Sequence, residues 1–282
     1  MTTNWNDSLS KVLNEIEVDR RLTVWLWINL RLQYPQVNFG ELESSGVRNR
    51  MAAFITETPW LKINIEQQKN ALFLTDASLQ WITDDTRQLK WVLQRVSERA
   101  GFHSHNLLQN LTGRELVIAT IDIWAIELMQ KANEIINISN LWNQHKQSDY
   151  IFRWFINPEE SEKYQLAWEL ISKKTPFLTA YKEPFNNYQE LLIFFDLTNF
   201  REAEKTICVD SIKKRWSQNK YREKNTGKKQ YNFLLSDKSI NILDKLAATH
   251  ELKRAKILEI LIQMESEKGI YIAEKLKILR DL

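Results

Sequence analysis

A chain of 282 residues is long enough for one large domain or two modest ones, and 43% hydrophobic residues supply a sizeable core. Six glycines and five prolines argue against a turn-rich β architecture and for a mainly α fold. One cysteine, Cys208, excludes an intrachain disulfide framework, and no apolar run reaches the ~18 residues a membrane helix needs, so a reducing cytoplasm is the expected setting, with no membrane partner.

The polar start, MTTNWNDSLS, has no secretory core. Asp7 and Ser8 can cap a first helix carrying Leu9, Val12, Leu13 and Ile16. A second apolar run, Leu22 to Leu32, ends before Pro35, and residues 35–46 read as a loop. Arg48 to Thr56 is helical in pattern, interrupted by Pro59. Trp60 to Ile65 alternates and predicts a short strand. Thr83, Asp84 and Asp85 start a helix that runs to Ala100 and stops at Gly101. Thr112 to Ile138 predicts one long helix through Leu116, Ile123, Ile126, Leu128 and Ile135. Asn157, Pro158, Glu159 and Glu160 suit a helix start, with the helix continuing through Tyr164, Leu166, Trp168 and Ile171 to Lys173. Pro176 and Pro184 bracket a loop or broken helix, and Thr198-Asn199 starts a helix through Ala203, Ile207 and Ile212. The starts at Trp81–Asp85 and Phe155–Glu159 are alike; they read as a weak repeat or as the shared grammar of helix caps. Most of the eleven tryptophans lie among Leu and Ile at helical spacing, which is core patterning.

Charge is distributed unevenly. Residues 213–229 hold Lys213, Lys214, Arg215, Lys220, Arg222, Lys224, Lys228 and Lys229 against Glu223 alone, a net of +7. Residues 1–212 carry −5 and residues 230–282 carry +1. An acidic body joined to a basic segment suggests that one part meets a polyanion.

Residues 228–262 carry the functional reading. Tyr231, Phe233 and Leu235 alternate with Gln230, Asn232 and Leu234, a short strand with one apolar face. Ser236-Asp237 caps a helix with Ile240, Leu243, Leu246 and Ala247 on one stripe. After a break at Thr249–Glu251, a second helix carries Ile257, Leu258, Leu261 and Ile262. A six-residue strand cannot satisfy its own backbone, and no matching strand lies nearby in the sequence. Pairing with a second copy makes a two-stranded antiparallel ribbon whose dimer core is Tyr231, Phe233, Leu235, Leu243, Leu246, Ile257, Leu258 and Leu261. Such a ribbon fits the major groove, where Gln230 and Asn232 can bond adenine edges and Leu234 can touch a thymine methyl. The second helix start, with Lys253 and Arg254, can meet a phosphate.

The order Tyr231-x-Phe233-x-Leu235-Ser236-Asp237…Leu243-Asp244…Leu246-Ala247…Lys253-Arg254…Ile257-Leu258 resembles the ribbon-helix-helix DNA-binding superfamily. There are two departures: Glu251 stands where the inter-helix Gly is usual, and Lys253 where a Ser cap is usual. Residues 195–282 also resemble the MatP (macrodomain Ter protein) family: Ile212 to Trp216, then Lys228-Lys229, Leu246-Ala247 and the tail ending Leu279-Arg280-Asp281-Leu282. The resemblance implies a palindromic double-stranded DNA site, contacts from the helical bundle, and a chromosome-organising role near the nucleoid.

The organisation expected is therefore a mainly α protein. A helical domain of unknown role spans 1–195, a basic connector 196–227, a dimeric ribbon-helix-helix 228–268, and an amphipathic tail helix 269–282 with Ile272, Leu276, Leu279 and Leu282. A homodimeric site-specific DNA-binding protein is the leading expectation. The alternatives are a repressor, or a scaffold using its ribbon only to dimerise. A protein partner can bind the N-terminal domain or the tail. His103 and His105, even with Asp84, Asp85 or Asp122, lack metal-site spacing, and Glu159-Glu160 reads as helix-start charge. No phosphate loop, zinc-protease or nucleophile motif occurs, so neither cofactor nor enzyme chemistry is expected.

Overall fold

A computed structural model describes residues 8–101, 108, 110–157, 161–198, 200–224, 226 and 231–280. The fold is mainly α, with no strand among the described residues. The helices are α1 (Ser8–Val12), α2 (Arg20–Gln33), α3 (Val47–Glu57), α4 (Trp60–Leu72), α5 (Asp76–Leu79), α6 (Thr86–Ala100), α7 (Gly113–Ile123) and α8 (Leu128–Gln147). A 3-10 helix, Ser148–Phe155, follows, then α9 (Glu162–Lys174), α10 (Pro176–Thr179), α11 (Tyr188–Asp196), α12 (Glu202–Lys224), α13 (Asp237–Thr249), α14 (Arg254–Lys268) and α15 (Tyr271–Arg280). No described helix is long and apolar enough to cross a membrane. The chain divides into two compact units, Met1–Lys220 and Tyr221–Leu282.

The first unit is built around three apolar clusters. Trp25, Trp27, Phe39, Met51 and Ile55 centre the first, among α1–α4. Leu79, Trp91, Val92, Ile121, Ile138 and Trp142 centre the second, among α5–α8. Phe152, Phe155, Phe195, Val209 and Ile212 centre the third, which gathers the 3-10 helix, α9, α11 and α12. Five tryptophans are buried (Trp25, Trp27, Trp91, Trp124 and Trp142), as core patterning requires. The expected helix start at Asp85 is a real cap, its carboxylate accepting the Gln88 N–H at 2.9 Å, and Asp19, not singled out in the sequence, caps α2 in the same way, accepting the Leu22 N–H at 2.7 Å. Gly101, at φ +69°, ends α6 in the left-handed conformation that favours glycine.

Three expectations need correction. Trp60–Ile65 is not a strand but the first half of α4. Leu61 and Ile65, four apart, are buried together while Trp60 and Ile63 face solvent. Six alternating residues are compatible with either period, and the i, i+4 pair decides. The helix expected over 112–138 is two helices. The chain leaves helical geometry at Trp124, whose side chain is buried, and the Glu127 carboxylate accepts the Met129 and Gln130 N–H groups to start α8. The helix expected from Thr198-Asn199 begins at Glu202. Thr198 instead donates its hydroxyl to the Phe195 carbonyl, and Glu204 takes the Arg201 N–H; Asn199 lies outside the described residues. Residues 231–235 carry no regular structure in the single chain, and the strand expected there is one that pairs with a second copy. Helix α11 was not anticipated, although the sequence displays its cap: Asn187 Oδ1 accepts the Glu190 N–H, and the Glu190 carboxylate reaches back to the Asn186 N–H. Asp7, Pro158, Glu159 and Glu160 lie outside the described residues.

The second unit begins as expected. The Ser236 hydroxyl accepts the Ser239 N–H and starts α13. At its end, Leu252 N–H bonds Ala247 O at 3.0 Å and Glu251 N–H bonds Ala248 O at 3.4 Å, with Glu251 at φ +52°. This is a Schellman turn whose left-handed position is filled by glutamate rather than glycine. Glu251→Gly is therefore expected to stabilise the turn by about 1 kcal/mol. A thermal scan of the full chain checks this; an unchanged or lowered midpoint contradicts it.

Candidate nucleic-acid interface

The interface residues fall on one long helix and the whole of the second unit. Along α12, Lys205, Val209 and Ile212 are buried and Trp216 is half-buried, so one stripe of the helix packs into the body. Trp216 meets Trp154 edge-to-face at 6.2 Å between ring centroids. The Lys163 ammonium lies 4.3 Å from the Trp154 centroid, and the Lys220 ammonium 4.7 Å from that of Trp216. Trp216 is thus an anchor that fixes the basic helix on the body, a role its place among lysines and arginines did not suggest. Lys214, Arg215, Arg222 and Lys224 are exposed. Lys213 approaches Asp210 at 3.5 Å, and Lys220 pairs with Glu162 at 3.2 Å. Lys228, Lys229 and Gln230 lie outside the described residues.

In the second unit α13 packs on α14, but the buried set is small. Leu243 and Ile257 are buried, and Leu246 and Leu258 are half-buried. Tyr231 is 69% exposed, Phe233 72% and Leu261 48%; Leu235, Ile240, Ile242 and Ile262 are exposed too. The Tyr231 and Phe233 rings lie 6.3 Å apart and near-parallel, on the same side of the chain, as alternate residues of an extended segment do. Asn232 and Leu234 are exposed. Lys253 sits exposed at the N-cap of α14, without a side-chain cap bond. Arg254 is tied to Asp244 through two hydrogen bonds, one of them 2.8 Å, so it is positioned by α13 rather than projecting freely. In the tail, Glu265 accepts the Tyr271 and Ile272 N–H groups at 3.0 Å each, starting α15, while Ile272, Leu276 and Ile278 remain exposed.

Two charge networks in the first unit, centred on buried Asp196 and Asp122, escaped the sequence, because their paired members lie 51 to 109 residues apart. Arg87 bonds Asp149 at 2.6 and 2.8 Å and Asp196 at 2.6 and 3.1 Å. Asp196 also bonds His145 Nε2 at 2.7 Å. Burial alone would raise the Asp196 carboxyl, but the bonds from His145 and Arg87 outweigh it and hold the group below its ordinary range. Lys205 nearby is pushed down by burial. In the other network Arg21 bonds Asp122 at 2.5 and 2.7 Å and Asp76 at 2.9 Å. Burial raises the Asp122 carboxyl despite that pair. Lys131, wholly buried, donates to Leu72 O at 2.8 Å and is lowered by burial to about 8. A cleft of about 470 Å³ opens beside this network, lined by Arg21, Asp76, Arg114, Glu115 and Asp122 over an apolar floor. His103 and His105 lie outside the described residues, and no group of three metal-ligating side chains occurs among the described ones. Comparison with protein-family models, with curated proteins and with solved structures returns no match to this chain.

Proposed function

We propose that the chain is a homodimeric, site-specific DNA-binding protein that organises or marks a genome, acting by binding rather than catalysis. The observation that carries this reading is the uncovered apolar surface of the second unit. Two buried apolar side chains, Leu243 and Ile257, are too few to hold some sixty residues folded. Tyr231, Phe233, Leu235, Ile240 and Leu261 wait exposed on the extended segment and the two helices. A second copy supplies both missing things at once: strand partners for 230–235 and a covering for the apolar side chains. The pairing leaves Gln230, Asn232 and Leu234 outward from both strands, a donor, acceptor and methyl-contact set suited to base edges. The net +7 of residues 213–229, directly before the ribbon in sequence, supplies phosphate contacts. Lys253 and the α14 N-terminus add another, and Arg254 braces that helix through Asp244.

Selection of bound duplexes from random DNA tests the reading, and a palindromic motif is the expected outcome. Against that motif, Gln230→Ala with Asn232→Ala is expected to weaken binding tenfold or more while the dimer persists in sedimentation. Unchanged affinity, or no enriched motif, defeats DNA readout and leaves a ribbon used only for dimerisation. A monomer in sedimentation defeats the ribbon itself. Occupancy at several dispersed sites separates an organiser from a repressor, which protects its own promoter.

A further inference from the structure

The turn after α9 is built to hold two aromatic rings outward. Residues 173–182 read KKTPFLTAYK, with three lysines and no acid, inside a body that is acidic over residues 1–212. Phe177 is 75% exposed and Tyr181 fully so, four residues apart. Two of the three positions between them turn the other way: Thr179 is buried, and Leu178 packs against the third apolar cluster, while Ala180 is exposed. The turn is rigid. Backbone bonds run from Leu178 to Thr175 (3.0 Å), Ala180 to Pro176 (2.9 Å) and Lys182 to Thr179 (3.1 Å). Its cations are held as well: the Lys174 ammonium is 3.3 Å from Ser211 Oγ, and that of Lys182 is 5.1 Å from the Phe194 ring centroid. Tyr181 sits at φ +64°, in the left-handed region where a side chain with a Cβ is disfavoured.

We infer that this turn is a stacking platform for unpaired nucleobases, with Phe177 and Tyr181 as the stacking faces and Lys173, Lys174 and Lys182 as the phosphate contacts. Exposed rings set between Lys173-Lys174 and Lys182, with the first acid, Glu183, beyond them, are the combination that single-stranded nucleic acid requires: each base offers a π-face and each linkage a negative charge. A protein partner would find an apolar spot of two residues, too small for a stable interface. The site is separate from the proposed ribbon and stands or falls independently of it.

Fluorescence anisotropy with a labelled 15-mer oligothymidylate and the full chain provides the test. Binding is expected, with Phe177→Ala/Tyr181→Ala weakening it tenfold or more, and Phe177→Tyr/Tyr181→Phe retaining it. Both positions are exposed, so the variants fold; circular dichroism verifies this. Unchanged affinity in the aromatic double variant assigns single-strand binding to another surface and overturns the inference. Absence of binding by the wild-type chain overturns it too.

Discussion

Arg87→Met is expected to destabilise the body by about 3–5 kcal/mol, read as a fall in denaturant midpoint without a change in slope. Arg87 is the one guanidinium bonded to both Asp149 and Asp196, and through them it joins α6 to the 3-10 helix and α11. Asp196 is nearly inaccessible to water. Without Arg87 its carboxylate keeps only His145, and Asp149 loses both of its bonds to the guanidinium. The cost is that of stranding buried charge and exceeds the net worth of the pairs. It should therefore shrink when the stranded partners are removed too: Arg87→Met with Asp149→Asn and Asp196→Asn is expected to recover part of the loss. Acidity has a defined sign. The Asp196 carboxyl is held below its ordinary value in the folded chain, so its contribution is complete above about pH 4 and is lost as pH falls through the depressed folded value. The gap between wild type and Arg87→Met should narrow over that acid range. A gap constant from pH 7 to pH 3 would show that packing, not charge, is what Arg87 contributes.

Lys131→Met is expected to act in the opposite direction, stabilising the protein by about 2 kcal/mol at pH 7. The ammonium lies wholly inside the body with one carbonyl, Leu72 O, as its hydrogen-bond acceptor, and burial brings its pKa down to about 8. Asp122 works against that shift but does not cancel it. Methionine has a comparable flexible stem and no charge to desolvate. Between about pH 8 and 10.5 the unfolded chain still binds the Lys131 proton after the folded chain has released it, so wild-type stability rises with pH across that window. Below it the penalty is at its full size. Denaturation midpoints taken from pH 7 to pH 10.5 should converge between wild type and variant. If Lys131→Met is instead destabilised at pH 7, attraction to Asp122 exceeds the cost of burial, and the lysine is a structural tie.

Much of the helical grammar was legible residue by residue. The caps at Asp19, Asp85 and Ser236 and the stop at Gly101 are local events, each decided by a side chain and backbone within four residues. The Asn187 cap of α11, with Glu190 reaching back to the Asn186 N–H, is equally local, although α11 itself was not anticipated. The position of Glu251 in the inter-helix turn was readable because a chain leaving one helix for another needs a left-handed residue there whatever its side chain. By contrast, Trp60–Ile65 offered two periods over six residues, and only the burial of Leu61 with Ile65 in the first apolar cluster chose between them. The break at Trp124–Glu127 had no proline or glycine to announce it; burying the indole and capping with Glu127 made it.

The candidate interface divides in the same way. The basic run, the alternation at 230–235 and the Ser236-Asp237 start depend on neighbours in sequence and could be read directly. Whether a cation is exposed depends on residues far along the chain: Glu162 takes Lys220, and Asp244 takes Arg254. The edge-to-face contact of Trp216 with Trp154 likewise makes a structural anchor of an aromatic set among lysines and arginines. The Arg87 and Arg21 networks lay wholly beyond reach, since pairs across 51 to 109 residues leave no periodicity.

By itself the sequence determined the mainly α class, most helix ends, the charge asymmetry and the apolar stripes, because each follows from short-range backbone and solvent preferences. Only the tertiary structure decided which stripes are covered, which charges are paired and which aromatics face water. Those outcomes depend on what the chain brings alongside each residue from a distance, and that is set by packing rather than by neighbours in sequence.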